Sequence, residues 1–330
     1  MDVRTRTMQA ITQRAYGSSE VLAHATVPRP APRADEVLIA VRASSLNFAD
    51  VATITGRPGL IRAVTGLRGP KNPVPGRDVA GVVEAVGADV TDLRPGDEVF
   101  GEATGGAWAQ YVAVPAKLVA RKPANLSFEQ AATLPLAAGT ALDCVAGVRP
   151  GQKVLVNGAS GGVGTFTVQA ATALGAEVTG VCSGRNAELV RSVGADHVVD
   201  YERSDFTSDG TRYDLIVDLV GNRSLAAYRR ALTPHGTLHL SGGGGGSIIG
   251  PLARIAQAAV VNLFVGQHLR PVFATASRAK LDRLRELAEA GAFTPAIERT
   301  YPLSDAPEAV RRHMAEHARG KTVLTVAEER

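Results

Sequence analysis

The chain has 330 residues, and its acids and bases are mixed along most of its length to give a formal net charge of +4. A chain of this length exceeds the usual single core, so we expect two domains. The charge is too small and too dispersed to indicate nucleic-acid binding. The only two cysteines, Cys144 and Cys182, lie in apolar stretches, which favours a reducing cytoplasm over a disulfide scaffold.

No apolar run approaches the roughly 20 residues that a membrane span requires. The N-terminal residues lack the apolar core of a signal peptide, and Met8 is an alternative start. We therefore expect a cytoplasmic protein without an integral membrane segment.

Residues 1–123 are predicted to be rich in β-strands. Apolar and β-branched runs at residues 37–43, 79–86 and 111–114 have the composition of strands, and proline and glycine clusters between them predict turns. Strands spaced in this way indicate a compact, barrel-like domain.

One segment of this part, residues 51–77, contains no acidic residue but has five basic residues and several glycines. This composition predicts a mobile loop. Two interpretations follow: a solvated basic loop, or a lid that attracts an anionic cofactor or substrate.

The rest of the chain is organised around residues 153–169. A short apolar run is followed by glycines and then by a helical pattern, which predicts a strand, a tight turn and a helix. Such a turn presents free backbone N–H groups and the positive end of the helix dipole to an anion. The dinucleotide fingerprint G-x-G-x-x-G fits only loosely, because Ala159, Gly161 and Gly164 occupy its three glycine positions.

Two helical patterns precede this strand and turn, and strands and helices alternate after it. A capping box of Ser127 and Gln130 predicts a helix start, and the alternation continues to residue 273. It predicts an α/β fold in which residues 124–273 form a Rossmann domain, a doubly wound parallel sheet with right-handed crossovers. The tail has two helical patterns and a final strand, so residues 274–330 are expected to return to residues 1–123 and complete the β-rich domain.

The end of the second predicted strand of the Rossmann domain indicates which cofactor binds. An Asp or Glu at this place holds the ribose 2′-hydroxyl of NAD, but Ser183 and Arg185 stand here instead. Because a guanidinium binds phosphate oxygens bidentately, this favours NADPH, the alternative being that Arg185 is an ordinary surface residue. Ligands of such sheets bind at the carboxyl ends of strands, which adds the residues after the fourth and fifth strands: Leu219, Val220, Ser241, Gly242 and Gly243.

Other chemistries find no support in the sequence. No tyrosine is followed four residues later by a lysine, and there is no G-x-S-x-G nucleophile elbow. A catalytic zinc needs about three protein ligands, and the cysteines and histidines lack such spacing. His313 and His317 lie one helical turn apart but have no evident third partner, so we expect no metal.

Several spaced motifs carry a family resemblance over nearly the whole chain. It is similar to the zinc-free quinone oxidoreductase branch of the medium-chain dehydrogenase/reductase superfamily, whose β-rich domain is GroES-like. The motifs lie at residues 45–50, 75–81, 93–99, 157–164, 194–200 and 320–324.

The resemblance implies roles for particular residues. Zinc-dependent members have a Cys ligand where Asn47 stands and a His–Glu pair where Arg77 and Asp78 stand, and the cysteines of their structural zinc lobe are absent. Asn47 and Asp50 are expected near the nicotinamide and the substrate. The remaining residues that the resemblance or the glycine turn assigns to the cofactor are Thr140, Gly158, Ala159, Ser160, Gly161, Gly162, Val163, Gly164, Ser183, Arg185, Tyr201 and Lys321.

The expected function is zinc-independent transfer of hydride from NADPH to a quinone or an activated alkene. No residue is a convincing general acid, so the proton is expected from solvent. The resemblance implies a homodimer that pairs edge strands near residues 269–273. Two alternatives remain open at this point: an NADPH-binding structural or regulatory protein with little turnover, and a membrane-associated reductase, motivated by the basic segment.

Overall fold

The computed structural model describes residues 6–241, 250–316 and 318–327. The strands in chain order are β1 (Thr7–Gln13), β2 (Leu22–Pro28), β3 (Glu36–Leu46), β4 (Asp78–Val86), β5 (Glu98–Glu102), β6 (Tyr111–Pro115), β7 (Val119–Arg121), β8 (Lys153–Asn157), β9 (Glu177–Cys182), β10 (His197–Asp200), β11 (Tyr213–Asp218), β12 (Leu232–Leu240), β13 (His268–Pro271), β14 (Ile297–Pro302) and β15 (Lys321–Thr325).

The α-helices are α1 (Phe48–Thr55), α2 (Ile61–Thr65), α3 (Phe128–Ala131), α4 (Pro135–Cys144), α5 (Gly162–Ala173), α6 (Ala187–Ser192), α7 (Leu225–Ala231), α8 (Gly250–Asn262), α9 (Arg278–Glu289) and α10 (Ala306–Ala315). In the part of the chain that the structure describes, no helix has both the length and the apolar character needed to cross a bilayer.

The β-rich part is a mixed sheet to which both ends of the chain contribute. Its strand order is β14-β15-β3-β4-β5-β7, and β6 also pairs with β3. The last strand, β15, runs antiparallel to β3 and parallel to β14, so the tail pairs with a strand of the N-terminal part. Buried side chains such as Trp108, Ile39 and Val310 form the core on this sheet, which is the two-layer arrangement that a half-buried sheet requires.

The second sheet is parallel throughout, with the order β10-β9-β8-β11-β12-β13. This is the doubly wound order of a Rossmann unit, which confirms the predicted fold class. Its central strands are apolar along their length because helices cover both faces. In β8, for example, the four residues after Lys153 are all buried. Phe166 of α5 packs edge to face against Phe293, with the ring centroids 5.6 Å apart.

The prediction of a loop over residues 51–77 is wrong at residues 51–55 and 61–65, which belong to α1 and α2, whereas the rest of the segment lies outside helices and strands. Helix α1 starts at a capping motif that the sequence reading missed: the backbone N–H of Asn47 donates to the carboxylate of Asp50 at 2.9 Å. The helix ends at Gly56, whose φ of 62° is left-handed, as expected at a helix C-terminus. Local capping therefore fixes the two ends of α1, the first part of a segment whose composition resembles a loop.

Candidate functional site

The glycine turn between β8 and α5 leaves room for a ligand close to the backbone. Gly158 has a φ of 92°, and a Cβ on Gly164 would lie 2.1 Å from the carbonyl oxygen of Gly158. Only glycine fits such positions without backbone movement. Gly161 precedes α5 without a side-chain capping bond, so the N–H groups at the start of α5 face the turn. This geometry fits the pyrophosphate of a dinucleotide.

The C-terminal strand of the β-rich sheet docks on this same turn. The backbone N–H of Gly320 donates to the carbonyl of Ser160 at 2.7 Å, and Gly320 forms a bridge with Gly161. The stem of Lys321 crosses Gly162, since a Cβ there would lie 2.8 Å from the lysine Cδ. The turn and the β-rich sheet are thus held together at the place where the cofactor is expected.

Lys321 then leads into a buried polar network. Its Nζ donates to Oδ1 of Asn47 at 2.6 Å and to the carbonyl of Leu46 at 3.1 Å, and it lies 3.6 Å from Oδ2 of Asp78. Nδ2 of Asn47 donates to that same Oδ2 at 2.8 Å, as does the hydroxyl of Ser45 at 2.6 Å. We call Asn47, Asp78 and Lys321 the buried triad. Within the triad, the ammonium of Lys321 is bonded to Asn47 and lies close to Asp78.

Helix α4 completes the hydrogen bonding of Asp78. The second carboxylate oxygen of Asp78, Oδ1, accepts from the backbone N–H of Leu136 at 2.9 Å. Thr140, one turn further along α4, donates its hydroxyl to the carbonyl of Leu136. Asp78 therefore connects strand β4, the triad and the helix that carries Thr140. Buried carboxylates require this degree of satisfaction, because an unpaired buried charge is very costly.

Asp50 lies beside the triad as a second buried carboxyl. Burial raises its pKa, and the neighbouring charge of Asp78 raises it further, to about 7. Its contact with the backbone N–H of Asn47 favours the ionised form but does not offset burial. Burial also lowers the pKa of Lys321, although both aspartates oppose that effect. Asp50 is 1% exposed, and its carboxylate contacts the backbone of Asn47.

Arg77, next to Asp78, points to a different partner. Its Nε and one terminal nitrogen donate to Oε1 of Glu102 at 3.2 and 2.6 Å. Burial raises the pKa of Glu102, while the Arg77 guanidinium opposes the shift. The turn before Arg77 is fixed by Gly76, where a Cβ would lie 2.1 Å from the Trp108 ring.

The ends of β9 and β10 bring together the residues expected at the adenosine end of the cofactor. Ser183 is buried and Arg185 exposed, while Tyr201 is half-exposed and its backbone N–H donates to the carbonyl of Cys182. The structure adds Asp200, which the sequence reading missed: its Oδ2 lies 2.6 Å from where a Cβ on Gly184 would be. The register of β10 against β9 pairs Asp200 with Cys182 and so brings this carboxylate next to Gly184. No local sequence pattern predicts that placement.

The ends of β8, β11 and β12 form the other half of the expected cofactor site. Val220 lies across the glycine turn, with its Cγ2 2.8 Å from the Cβ position of Gly158. The backbone N–H of Leu219 donates to Asn157, and that of Ser241 donates to Asp218. Gly242 and Gly243, also expected here, lie outside the described residues.

A second buried polar cluster, also missed from the sequence, holds these strand ends. The Nδ2 of Asn157 contacts Oδ1 of Asp218, Oδ1 of Asn222 and the hydroxyl of Tyr228 within 3.0 Å. Arg254 of α8 bonds the other oxygen of Asp218 at 2.8 Å. Burial raises the pKa of Tyr228, so its hydroxyl stays protonated. The cluster joins the ends of β8 and β11 to α7 and α8 beside the glycine turn.

Metal-binding side chains are not grouped in the described parts of the chain: no three His, Cys, Asp or Glu residues there could hold one ion. Of the pair His313 and His317 noted in the sequence, His317 lies outside the described residues. The carboxylates that do gather, Asp50 and Asp78, surround the ammonium of Lys321.

A parallel Rossmann sheet, a glycine turn and a mixed sheet docked on that turn define a class: two-part proteins that bind a dinucleotide at the junction. Two family descriptions match the chain, the alcohol dehydrogenase GroES-like domain over residues 33–124 and the zinc-binding dehydrogenase domain over residues 193–324.

Individual proteins are similar over nearly their full lengths. The mitochondrial NAD(P)H oxidoreductase RTN4IP1 of Bos taurus is 35% identical, covering 98% of this chain and 90% of its own. A chloroplast envelope quinone oxidoreductase homolog of Arabidopsis thaliana is 31% identical, covering 96% and 98%. The solved quinone oxidoreductase of Coxiella burnetii superimposes with a TM-score of 0.86 at 29% identity, covering 98% of this chain and 100% of that one.

The chain belongs to the medium-chain dehydrogenase/reductase superfamily, together with proteins named as quinone oxidoreductases. It is an oxidoreductase of that superfamily, with a nicotinamide cofactor and a small-molecule substrate.

Proposed function

We propose that the protein is a zinc-independent, NADPH-dependent reductase that transfers hydride to a quinone or to an activated alkene. The observation that carries the proposal is the buried triad docked on the glycine turn. It holds an ammonium, not a metal-ligand set, between the nucleotide-binding turn and the strands that carry Asn47 and Asp78.

Support for zinc independence comes from the donor groups. Although one matching family description names zinc, an amide and a cation occupy the places of Cys and His ligands: Asn47 and Arg77. Zinc binds thiolate, imidazole and carboxylate donors, whereas a guanidinium donates hydrogen bonds and offers no lone pair. Asp78 is fully buried and uses both oxygens for hydrogen bonds within the protein.

Support for NADPH comes from Arg185, whose exposed guanidinium follows the end of β9. The glycine turn has the backbone geometry that a dinucleotide pyrophosphate needs, and Arg185 with Ser183 would hold the 2′-phosphate of NADPH. Asp200 works in the opposite direction, because a carboxylate repels phosphate and can accept hydrogen bonds from a ribose. Arg203 partly offsets that charge, with its Nε 3.6 Å from Oδ2 of Asp200.

NADPH, when bound, supplies the hydride. The protein's contribution is orientation and exclusion of water. The amide oxygen of Asn47 accepts from Lys321, and one N–H of the same amide donates to Asp78. These two bonds fix the amide plane and leave the second N–H as a donor toward the cofactor or substrate. A donor of this kind stabilises the negative charge that develops on the acceptor oxygen. Asp50 is a positioning residue for Asn47, and the proton comes from solvent.

We also propose a homodimer. Exposed apolar side chains lie at one edge of the parallel sheet: Leu263 and Phe264 follow α8, and Phe273 follows the edge strand β13. An unpaired edge strand beside such residues is suited to pairing with a second copy. Static light scattering at a single-chain mass would contradict this. For compartment, two buried free thiols support a reducing one, with the cytoplasm as the simplest choice.

The function is tested by following NADPH oxidation with a panel of quinones, enones and saturated ketones. We expect turnover with quinones or enones and none with the saturated ketones, because only the former present an activated acceptor without a Lewis acid. Tight NADPH binding without oxidation by any acceptor would contradict the enzyme proposal and favour a binding protein.

A further inference from the structure

A surface away from the buried triad combines exposed apolar and basic side chains. We call residues 57–71 the basic apolar segment. Leu60, Val64 and Leu67 are 53%, 76% and 77% exposed. The spacing of four residues places Leu60 and Val64 on one face of α2, and Leu67 follows the end of the helix at Gly66. Ala63 between them is also exposed. Single exposed apolar residues are common, but a contiguous group of this kind marks an interaction surface.

The segment is held in place from its opposite side. The hydroxyl of Tyr16 donates to the carbonyl of Gly66 at 2.6 Å and lies 2.8 Å from the hydroxyl of Thr65. The guanidinium of Arg62 lies 4.7 Å from the centre of the Tyr16 ring, and its Nε donates to the carbonyl of Gly56. One side therefore packs on the protein, and the apolar side chains are presented to the outside on a fixed backbone.

The charge of the segment indicates what covers it. It contains four basic residues, Arg57, Arg62, Arg68 and Lys71, and no acidic one. Arg57, Arg68 and Lys71 are exposed beside the apolar side chains. The whole chain has 36 bases and 32 acids, so a surface with three exposed bases and no acid is more positive than the chain as a whole.

We propose that the basic apolar segment docks on an anionic lipid bilayer, with Leu60, Val64 and Leu67 entering the headgroup boundary and the exposed basic side chains binding lipid phosphates. Apolar residues that insert and cations that remain at the surface are the two components of interfacial binding. A second copy of this chain would meet the same positive charge on its own segment, so like charges oppose self-association there.

The test is cosedimentation of the full chain with vesicles of phosphatidylglycerol and phosphatidylcholine mixed at about 1:2, compared with phosphatidylcholine alone, at low salt. We expect binding to the anionic vesicles only, and its loss near 1 M salt, where the screening length falls to about 3 Å. Absence of binding at low salt would overturn the proposal, as would equal binding to both vesicle types.

Paired variants separate this surface from general charge. A basic residue near an anionic membrane is worth roughly fivefold in partitioning, so R57Q/R68Q should weaken binding roughly thirtyfold. The control R94Q/R203Q removes the same charge from exposed positions elsewhere and should have a much smaller effect. For the apolar component, V64S/L67S should weaken binding, whereas L174S/M314S, also at exposed positions, should not. Equal losses in either comparison would overturn the assignment to this segment.

Discussion

Replacing Lys321 by methionine tests the buried triad most severely. Methionine keeps an apolar stem over Gly162 but removes the ammonium, which lies 3.6 Å from Oδ2 of Asp78 and bonds Oδ1 of Asn47 at 2.6 Å. At an effective dielectric constant of about 20, a pair at that distance has roughly 4–5 kcal/mol of Coulomb attraction. Burial penalises the ammonium as well, as the lowered pKa of Lys321 indicates. Removing one partner of a buried pair typically costs about 3–5 kcal/mol, and because Arg77 also lies near Asp78 we expect roughly 3 kcal/mol.

The assay is urea unfolding of Lys321→Met beside Lys117→Met. Lys117 is exposed, so its replacement should change the free energy of unfolding by less than about 0.5 kcal/mol. A cycle with Asp78→Asn measures the coupling: the double variant should lose roughly 1–3 kcal/mol less than the sum of the single losses. Turnover should fall more than cofactor affinity, because Asn47 loses its partner while the stem over the turn is kept. Additive losses, or a Lys321→Met protein as stable as the control, would refute the reasoning.

Three other predictions concern the cofactor and the buried carboxyl. Arg185→Ala should lower kcat/KM for NADPH roughly tenfold, the equivalent of one exposed charged hydrogen bond, and leave kcat/KM for NADH unchanged. Asp200→Asn should increase the preference for NADPH, and the control Arg94→Ala should change kcat/KM for neither cofactor. Equal losses with both cofactors would contradict the assignment of Arg185 to the 2′-phosphate. Because the folded-state pKa of Asp50 is raised from 3.8 to about 7, the folded state binds the extra proton, so stability should fall as pH rises through that window and level off above it. Between pH 5 and pH 8 the free energy of urea unfolding should fall by roughly 2.5 kcal/mol, and Asp50→Asn, but not Asp89→Asn, should remove this decrease. Gly164→Ala should destabilise the fold, because the new Cβ would lie 2.1 Å from a backbone oxygen, whereas a Cβ at Gly161 has its nearest atom at 3.5 Å. Gly161→Ala should therefore keep the stability and weaken cofactor binding in a fluorescence titration. Equal destabilisation of both variants would contradict the steric argument.

Elements defined by local patterns were predictable from the sequence. The strand, glycine turn and helix around Gly158–Gly164 follow from an apolar run, glycines and a 3.6-residue period, and the alternation after it predicts the parallel order that is observed. Boundaries were less accurate, since β3 runs over Glu36–Leu46 where residues 37–43 were predicted, and β6 runs over Tyr111–Pro115 where residues 111–114 were predicted. Tertiary packing extends elements beyond their local signal.

Contacts between distant residues were not predictable in the same way. Lys321 and Asn47 are 274 positions apart, and no local pattern shows that β15 pairs with β3 in the register that joins them. The carboxylate of Asp200 lies at the adenosine end of the expected cofactor site only because β10 pairs with β9. Arg254 contacts Asp218 from α8, which follows in a later part of the chain. Register and long-range burial decide such contacts, whereas periodicity reports only which face of an element is covered.

The central claim is metal-free hydride transfer from NADPH. We would incubate the chelator-treated protein with NADPH deuterated at C4, each face in turn, and an enone, and locate the label in the product by NMR. The proposal predicts acceptor-dependent NADPH oxidation that survives chelation, with deuterium from one face at the β-carbon of the product. Loss of activity on chelation that zinc restores, or a product without deuterium from either face, would contradict it.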